Sequence, residues 1–204
     1  ASFALLGFFP LIAKGILNLL KKRRVYKNYT KPKTFDRNMI VIGAGAGGLV
    51  TSYIAATVKA KVTLIEAGEM GGDCLNYGCV PSKALIKSAK VAEQMRNGER
   101  YGLDNTQPTF SFNNVMSRVH KIIADIAPND SVERYTELGV EVLKGYAKLI
   151  DPWTVEITLN EGGTQRLTAC SIVIATGARP FIPDLPGLEE TGYVTSDTLW
   201  NTFA

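Results

Sequence analysis

The sequence predicts an α/β fold in which a parallel sheet is combined with helices and a small β-meander. Three observations support this prediction. A short apolar run ending at Ile42 leads into a glycine-rich turn, a helical stretch (LVTSYIAATVKA) follows, and a second apolar strand (KVTLIE) comes next. Further short strands are predicted between Val140 and Thr168. The order strand, helix, strand is typical of a parallel sheet, because a parallel connection needs a crossover.

Composition excludes several classes of protein. The chain has 204 residues, of which 46% are apolar, so it is long and apolar enough to bury a core. Three cysteines are too few for a secreted disulfide scaffold. Nine of the 23 basic residues but one of the 19 acidic residues lie in residues 1–37, which leaves fourteen basic and eighteen acidic residues in the remainder. The net charge of +4 is therefore a property of the leader and does not indicate nucleic-acid binding.

The first segment, residues 1–24, is apolar and ends in the basic cluster KKRR. We predict that it is membrane-associated, as the end of a transmembrane segment or as an interfacial helix; Lys14 and Asn18 interrupt it and Pro10 would kink it. A packing helix in a soluble protein is the alternative. The basic flank predicts that the following domain is cytoplasmic. Residues 25–37 are predicted to be a polar linker, and residues 38–204 the α/β domain.

The first β-α-β unit carries a nucleotide fingerprint, G-x-G-x-x-G, at Gly43, Gly45 and Gly48. Gly43 allows the tight turn out of the strand, Gly45 lets the backbone approach a pyrophosphate, and Gly48 lets helix and strand pack closely. The helix N-terminus offers free N–H groups to phosphates. Glu66 ends the second strand and can accept hydrogen bonds from ribose hydroxyls. The unit predicts dinucleotide binding without separating FAD from NAD.

The periodicity of apolar residues predicts the helices and strands in the rest of the chain. Residues 81–94 are predicted to be a helix with Pro81 in its first turn, and residues 112–126 an amphipathic helix. The short segments VEVLKG, YAKLID, TVEITL and RLTA are predicted strands, and SIVIATG is predicted to be a buried strand that ends in a glycine turn. His120 is interpreted as a surface or boundary histidine, and Cys170 as a packing residue.

Cys74 and Cys79 lie in the segment GGDCLNYGCVPSK, and three interpretations of them compete. A zinc site is disfavoured, because the remaining soft ligands, Cys170 and His120, lack ligand-like spacing to the pair. Two buried structural thiols and a reversible disulfide both remain open. Five residues of ideal helix rise roughly 7.5 Å, beyond the usual Cα separation of a disulfide of about 4.4–6.8 Å, so a bridge needs a distorted turn. Gly78 permits one.

The ordered motifs resemble the FAD domain of the pyridine nucleotide–disulfide oxidoreductases, a family that includes dihydrolipoamide dehydrogenase, glutathione reductase and mercuric reductase. The resemblance rests on the glycine fingerprint, Glu66, the motif G-G-x-C-x4-C-V-P-S-K and the later motif I-A-T-G-A-R-P, and it spans roughly residues 37–200. It is nearest to mercuric-reductase-like members. It implies a Rossmann-like FAD-binding domain that is incomplete relative to the family.

The resemblance also implies site residues. Cys74 resembles the interchange thiol that meets the substrate, and Cys79 the charge-transfer thiol that faces the flavin. Asp73 and Tyr77 depart from the pattern, because many members have Thr and Val there. The residues implied to contact FAD are Gly43, Gly45, Gly48, Glu66, Gly71, Gly72, Lys83, Gly145, Ala147, Thr176 and Gly177.

In the implied reaction, electrons from NAD(P)H pass through the flavin to a Cys74–Cys79 disulfide and then to a small disulfide or metal ion. The family's NAD(P) and dimerisation domains do not follow in this sequence. We therefore expect a fragment of a longer enzyme that is a homodimer in full-length form. A non-catalytic flavin- or nucleotide-binding module, acting as a redox sensor, is the alternative. A flavin monooxygenase-like protein would fit the first β-α-β unit but not the ordered cysteine motif.

Overall fold

The structure is a computed structural model that describes residues 2–203, with side chains described from residue 10 onward. Short 3-10 turns lie at Gly98–Tyr101, Ala127–Asp130 and Leu199–Asn201. The strands are β1 (Arg37–Ile42), β2 (Val62–Glu66), β3 (Val140–Leu149), β4 (Thr154–Leu159) and β5 (Thr164–Ile174). The helices are α1 (Ser2–Val25), α2 (Ala46–Thr57), α3 (Gly72–Asn76), α4 (Cys79–Arg96), α5 (Phe112–Ile126), α6 (Val132–Glu137) and α7 (Leu188–Thr191).

The five strands close into a ring in the order β1-β2-β3-β4-β5. Strand β1 lies between β5 and β2, and β2 pairs with β3, and all three of these pairings are parallel. Strand β4 joins β3 to β5 by antiparallel pairing. The ring closes because β3 and β5 are long enough to serve both sheets. The predicted fold class, an α/β domain of Rossmann type with a small meander, is confirmed.

Side chains that alternate between the two faces of the strands form two separate apolar cores. Ile40 and Ile65 point into the ring, where they pack with side chains of β4 and β5. Val41 and Leu64, each one residue away, point to the other face and pack under α2. Successive side chains of a strand lie on opposite faces, so a continuous apolar run fills both cores.

A third cluster joins the helices. Ala84 of α4 packs against Met116 and Val119 of α5, and Trp200 from the end of the chain completes the cluster. The predicted helix over residues 112–126 is confirmed, and Ser111 caps it by accepting a hydrogen bond from the Asn114 N–H. This helical layer supports the segment that contains Cys74 and Cys79.

The structure differs from the predicted strands in two ways. The segments VEVLKG and YAKLID form one strand, β3, and RLTA and SIVI form one strand, β5. The end of β5 is less buried than predicted, because it runs beyond the pairing with β4, which stops at Thr168, and the side chain of Ile174 is 63% exposed. Cys170 is exposed and not packed, since it points outward from β5 next to the buried Ala169.

The end of the predicted linker is tied to the sheet. Arg37 already belongs to β1, and Asp36 accepts hydrogen bonds from the N–H and hydroxyl of Thr168. Tyr26 stacks on Trp153 with ring centroids 5.3 Å apart. Residues 25–37 therefore run along the domain at these points.

The predicted membrane-associated segment over residues 1–24 falls partly on residues 1–9, whose side chains lie outside the described part of the chain. Within the part that is described, no helix combines the length and apolar character that a bilayer crossing requires. The prediction of a membrane-associated segment therefore has no support from the structure.

Candidate functional site

The glycine loop between β1 and α2 is held by backbone contacts that admit no side chain at two positions. At Gly43, where φ is 103°, a Cβ would lie 2.2 Å from the Ala175 carbonyl oxygen. At Gly48 a Cβ would lie 1.8 Å from the Gly43 carbonyl oxygen. Both glycines are therefore required by the packing of the fold itself.

Gly45 is different. A Cβ at this position would meet nothing nearer than the Cα of Gly72, at 3.8 Å, and the backbone φ of −81° suits any residue. Packing within the chain does not explain a glycine here. The space above Gly45 adjoins the N-terminus of α2, whose first N–H groups lack partners within the helix. A ligand that needs close backbone approach would explain the residue.

Glu66 connects the end of β2 to this loop. One carboxylate oxygen accepts a hydrogen bond from the Ala44 N–H at 2.6 Å, and the other accepts from the Gly68 N–H at 2.6 Å. A carboxylate has about four lone-pair positions, so two remain for a ligand's hydroxyl groups. Glu66 therefore braces the glycine loop and can still bind a ribose.

The cysteine segment lies directly against the glycine loop. The Gly71 N–H donates to the Ala44 carbonyl at 3.0 Å. At Gly72, where φ is 55°, a Cβ would lie 2.6 Å from the Cα of Gly45. The Asn76 side chain donates to the carbonyls of Met70 and Gly72, at 3.0 Å each. The segment is thereby fixed against the glycine loop.

A break between two helices brings the thiols together. Cys74 lies in α3, which ends at Asn76, and Cys79 is the first residue of α4. Gly78 lies in the break, with φ −120° and ψ −101°, and a Cβ there would lie 3.8 Å from the Cα of Cys74. The Cys79 thiol lies near enough to Cys74 to raise the pKa of that thiol. The distorted turn that a bridge requires is present, and the structure holds the pair as free thiols.

Several neighbours set the pKa of Cys74. The neighbouring Cys79 thiol raises this pKa most, and burial raises it further. The cation of Lys83 opposes this shift, while the carboxylate of Asp130 adds to it. The pKa of Asp130 is itself raised by burial. At neutral pH, these neighbours favour the protonated form of the Cys74 thiol.

These parts meet in a cleft of about 390 Å³. A larger groove of about 520 Å³ lies between α4 and α5, but its lining is mostly apolar and includes neither the glycine loop nor the thiols. We place the functional site at the smaller cleft, because polar groups and a thiol converge there. The predicted site residues that line it are Gly43, Gly45, Glu66, Gly72, Cys74, Thr176 and Gly177.

Other predicted site residues lie outside this lining. Gly48 and Gly71 are buried beneath it, and Lys83 is exposed on α4. Gly145 and Ala147 lie on β3, where a Cβ at Gly145 would be 2.5 Å from the Thr158 carbonyl oxygen. The close pairing of β3 with β4 thus explains a glycine at this position without a ligand.

Cys79 is exposed and does not line the cleft, whereas Cys74 is half-buried and does. The resemblance implies that Cys74 faces the substrate and Cys79 faces the flavin. Here the more exposed thiol is Cys79, and Cys74 is the one that lines the cleft, so exposure alone would suggest the reverse assignment. The implied direction stays a prediction.

Sequence patterns do not predict three contributors to the site: Asn76, Asp130, and Trp200, whose indole N–H donates to the Tyr77 carbonyl. Asn76 could have been noticed as the polar residue between the two cysteines. Asp130 and Trp200 give no such signal, because both lie far along the chain in short 3-10 turns without periodicity. Among the described residues, no group of three or more His, Cys, Asp or Glu side chains could hold a metal ion.

Comparison with known proteins gives a consistent result. The family described as pyridine nucleotide-disulphide oxidoreductase matches residues 37–202. A mercuric reductase of Streptomyces lividans is 32% identical over 79% of this chain and 34% of its own length. A dihydrolipoyl dehydrogenase of Zymomonas mobilis is 36% identical over 76% of this chain and 33% of its own length. The mercuric reductase of Shewanella putrefaciens is 39% identical, over 78% of this chain and 29% of its length. The chain thus spans about a third of the length of these relatives.

Proposed function

This chain belongs to the pyridine nucleotide-disulphide oxidoreductase family, and we propose that it supplies the FAD-binding and thiol part of an NAD(P)H-dependent oxidoreductase. The observation that carries the proposal is the single cleft in which the glycine loop, Glu66 and Cys74 meet. The relatives named above are mercuric reductases and a dihydrolipoyl dehydrogenase. We therefore propose a disulfide or a metal ion as the electron acceptor of the complete protein.

The residues of the cleft fit FAD. The open position at Gly45 leaves room for a pyrophosphate beside the N-terminus of α2, and Glu66 retains lone pairs for the adenosine ribose. Thr176 and Gly177 lie opposite, after β5, in the same lining. When bound, FAD supplies two-electron transfer between a nicotinamide and a dithiol.

The thiol pair supports exchange chemistry. The break at Gly78 brings Cys74 and Cys79 near each other, which supports the formation of a disulfide between them. Reduction of that disulfide takes two electrons and two protons and returns the two thiols. A disulfide acceptor is then reduced by attack of a thiolate on one of its sulfurs, through a mixed disulfide.

The test uses the chain itself. After incubation with FAD and gel filtration, we expect the protein to retain the visible absorbance of a bound flavin. After oxidation by glutathione disulfide, we expect mass spectrometry to find a bond between Cys74 and Cys79. A colourless protein in which both cysteines stay alkylatable after oxidation would refute the proposal for this chain.

Two variants make the thiol test specific. Cys79→Ser should abolish the internal disulfide and leave Cys74 to form a mixed disulfide with glutathione. Cys170→Ser is the matched control, because Cys170 is exposed on β5 and is not part of the cleft lining. It should keep the Cys74–Cys79 bond. Flavin binding without a disulfide would favour the alternative, a flavin-binding module without dithiol chemistry.

A further inference from the structure

The loop between the two cysteines is tied to the far end of the chain. The indole N–H of Trp200 donates a hydrogen bond of 2.7 Å to the carbonyl of Tyr77, a residue 123 positions earlier. Trp200 is only 6% exposed and packs with Met116 and Val119 of α5. A buried tryptophan normally finds a partner for its N–H, and here the partner is the peptide between Cys74 and Cys79.

A second bond holds the tryptophan. The Nε2 atom of His120 lies 2.7 Å from the Trp200 carbonyl oxygen. A carbonyl can only accept, so Nε2 carries the proton and the histidine donates. The His120 ring also stacks on Phe203, with centroids 5.6 Å apart. His120, Trp200 and Tyr77 thus form a chain of hydrogen bonds that ends in the cysteine loop.

Tyr77 is well placed to control the thiols. Only Tyr77 and Gly78 separate α3 from α4, so their dihedral angles set the distance between Cys74 and Cys79. Gly78 has no side chain to fix its conformation. The N–H of Tyr77 donates to the Asp73 carbonyl at 2.9 Å, and its carbonyl accepts from Trp200. Its ring also packs against the cluster that contains Trp200.

We propose that Trp200, itself held by His120, is a positioning residue that fixes the loop between Cys74 and Cys79 and so sets the reduction potential of the pair. This proposal rests on the proposed dithiol function. A loop held in the bonding geometry loses less freedom when the disulfide forms, which favours the disulfide over the dithiol. Releasing the loop should make the disulfide easier to reduce.

The test is a redox titration of the whole chain in glutathione buffers, in a Cys170→Ser background. The reaction converts the two thiols and one glutathione disulfide into the internal disulfide and two glutathiones. In Trp200→Phe, which keeps an aromatic ring but lacks the N–H, we expect an equilibrium constant for disulfide formation about fivefold lower, or a potential roughly 20 mV less negative. Trp153→Phe is the matched control and should leave the potential unchanged.

A second pair of variants separates positioning from folding. His120→Leu, which cannot donate to the Trp200 carbonyl, should shift the potential in the same direction as Trp200→Phe. His120→Gln keeps a side-chain N–H donor and should restore the wild-type value. A Trp200→Phe protein that melts at a lower temperature but keeps the wild-type potential would overturn the proposal, since its role would then be structural only.

Fluorescence gives an independent reading. The sequence has two tryptophans, so Trp153→Phe leaves Trp200 as the sole indole emitter. The Trp200 emission should change with the same midpoint as the thiol titration, because the indole N–H is hydrogen-bonded to the Tyr77 carbonyl in the cysteine loop. Emission that does not change when the thiols are oxidised would count against a link between Trp200 and the cysteine pair. If wild type forms no Cys74–Cys79 disulfide at all, the proposed function fails together with this inference; if it forms one and no variant shifts it, only the inference fails.

Discussion

The two walls of the cleft are built by different means. The nucleotide wall, formed by the glycine loop and Glu66, rests on the sheet and on backbone atoms so close that Gly43 and Gly48 admit no Cβ. The thiol wall, formed by residues 72–79, rests on short helices and on a few side-chain hydrogen bonds, among them those of Asn76 and Trp200. The first wall is fixed by sterics and the second by polar contacts.

Because of this difference, we expect substitutions in the two walls to affect different properties of the protein. Steric contact in a close-packed core costs several kcal/mol when violated, whereas one hydrogen bond contributes about 1 kcal/mol. We therefore expect changes in the nucleotide wall and its sheet to alter folding, and changes in the thiol wall to alter the behaviour of Cys74 and Cys79 in a protein that remains folded.

The largest effect is expected for Gly48→Ala. The added Cβ would lie 1.8 Å from the Gly43 carbonyl oxygen and 3.3 Å from a methyl group of Val41, so α2 must move away from β1. We expect a loss of about 3 kcal/mol or more in the free energy of unfolding, measured by urea denaturation.

Gly45→Ala is the matched control in the same loop. Its Cβ would meet only the Gly72 Cα, at 3.8 Å, so the free energy of unfolding should change by less than about 0.5 kcal/mol. If FAD approaches this backbone, its dissociation constant should rise by about tenfold or more, measured by flavin absorbance in a binding titration. Equal destabilisation by both alanines would remove the steric distinction between them.

The nucleotide wall could be predicted from the sequence because its determinants are local. The strand, the glycine spacing and the acid at Glu66 lie within 30 residues, and each step follows from periodicity or from a backbone need. The structure places β1, α2 and β2 where that pattern indicates. Strand alternation also predicts the exposure of Cys170, because Leu167 and Ala169 are buried and the residue next to Ala169 on β5 points outward.

The thiol wall could be predicted only in part. The need for a distorted turn at Gly78 follows from helix geometry, and the break between α3 and α4 supplies it. The contacts of Asp130 and Trp200 could not be predicted, because they depend on how α5 and the end of the chain pack, at separations over which periodicity carries no information. The sequence predicts His120 of α5 to be a surface or boundary residue, and no local pattern indicates its bond to Trp200.

An intermediate effect is expected at the opposite end of the sheet, where Arg37 pairs with Glu141. The fully buried Thr63 hydroxyl also donates to this carboxylate. Glu141→Gln should lower the free energy of unfolding by about 1 kcal/mol at neutral pH, while leaving the Cys74–Cys79 potential unchanged. Glu156→Gln, which breaks the pair with Arg166, is the control. The Arg166 side chain is 66% exposed, against 12% for Arg37, so this change should cost at most about 0.5 kcal/mol.

The pH dependence of this effect has a definite sign. Burial raises the pKa of Glu141, but hydrogen bonds from Thr63 and Arg37 outweigh it and hold the pKa below the ordinary value of 4.5. A lowered folded-state pKa stabilises the fold above the unfolded value and ceases to do so as the pH falls through the folded value. The difference between wild type and Glu141→Gln should therefore vanish in acid. A difference that persists there would point to packing as its cause.

The smallest effects are expected in the thiol wall, from two charges near Cys74. Lys83 lowers the pKa of Cys74 and Asp130 raises it, so removing them should act in opposite directions. With Cys79 and Cys170 replaced by serine, Cys74 is the only thiol. At neutral pH, alkylation by iodoacetamide should then be about twofold slower in Lys83→Met and about twofold faster in Asp130→Asn, because Lys83 is exposed and Asp130 only half-buried.

The opposite changes in alkylation rate expected for the two variants distinguish a charge effect from a conformational one. A loosened cysteine loop would change the alkylation rate in the same direction in both variants, whereas a charge effect must split them and must shrink as salt is added. Lys87→Met, which removes the same charge one turn further along α4, should leave the rate unchanged. If Lys83→Met and Asp130→Asn shift the rate in the same direction, the reactivity of Cys74 depends on the conformation of the loop and not on these two charges. The Trp200 contact would then be the main determinant of that reactivity.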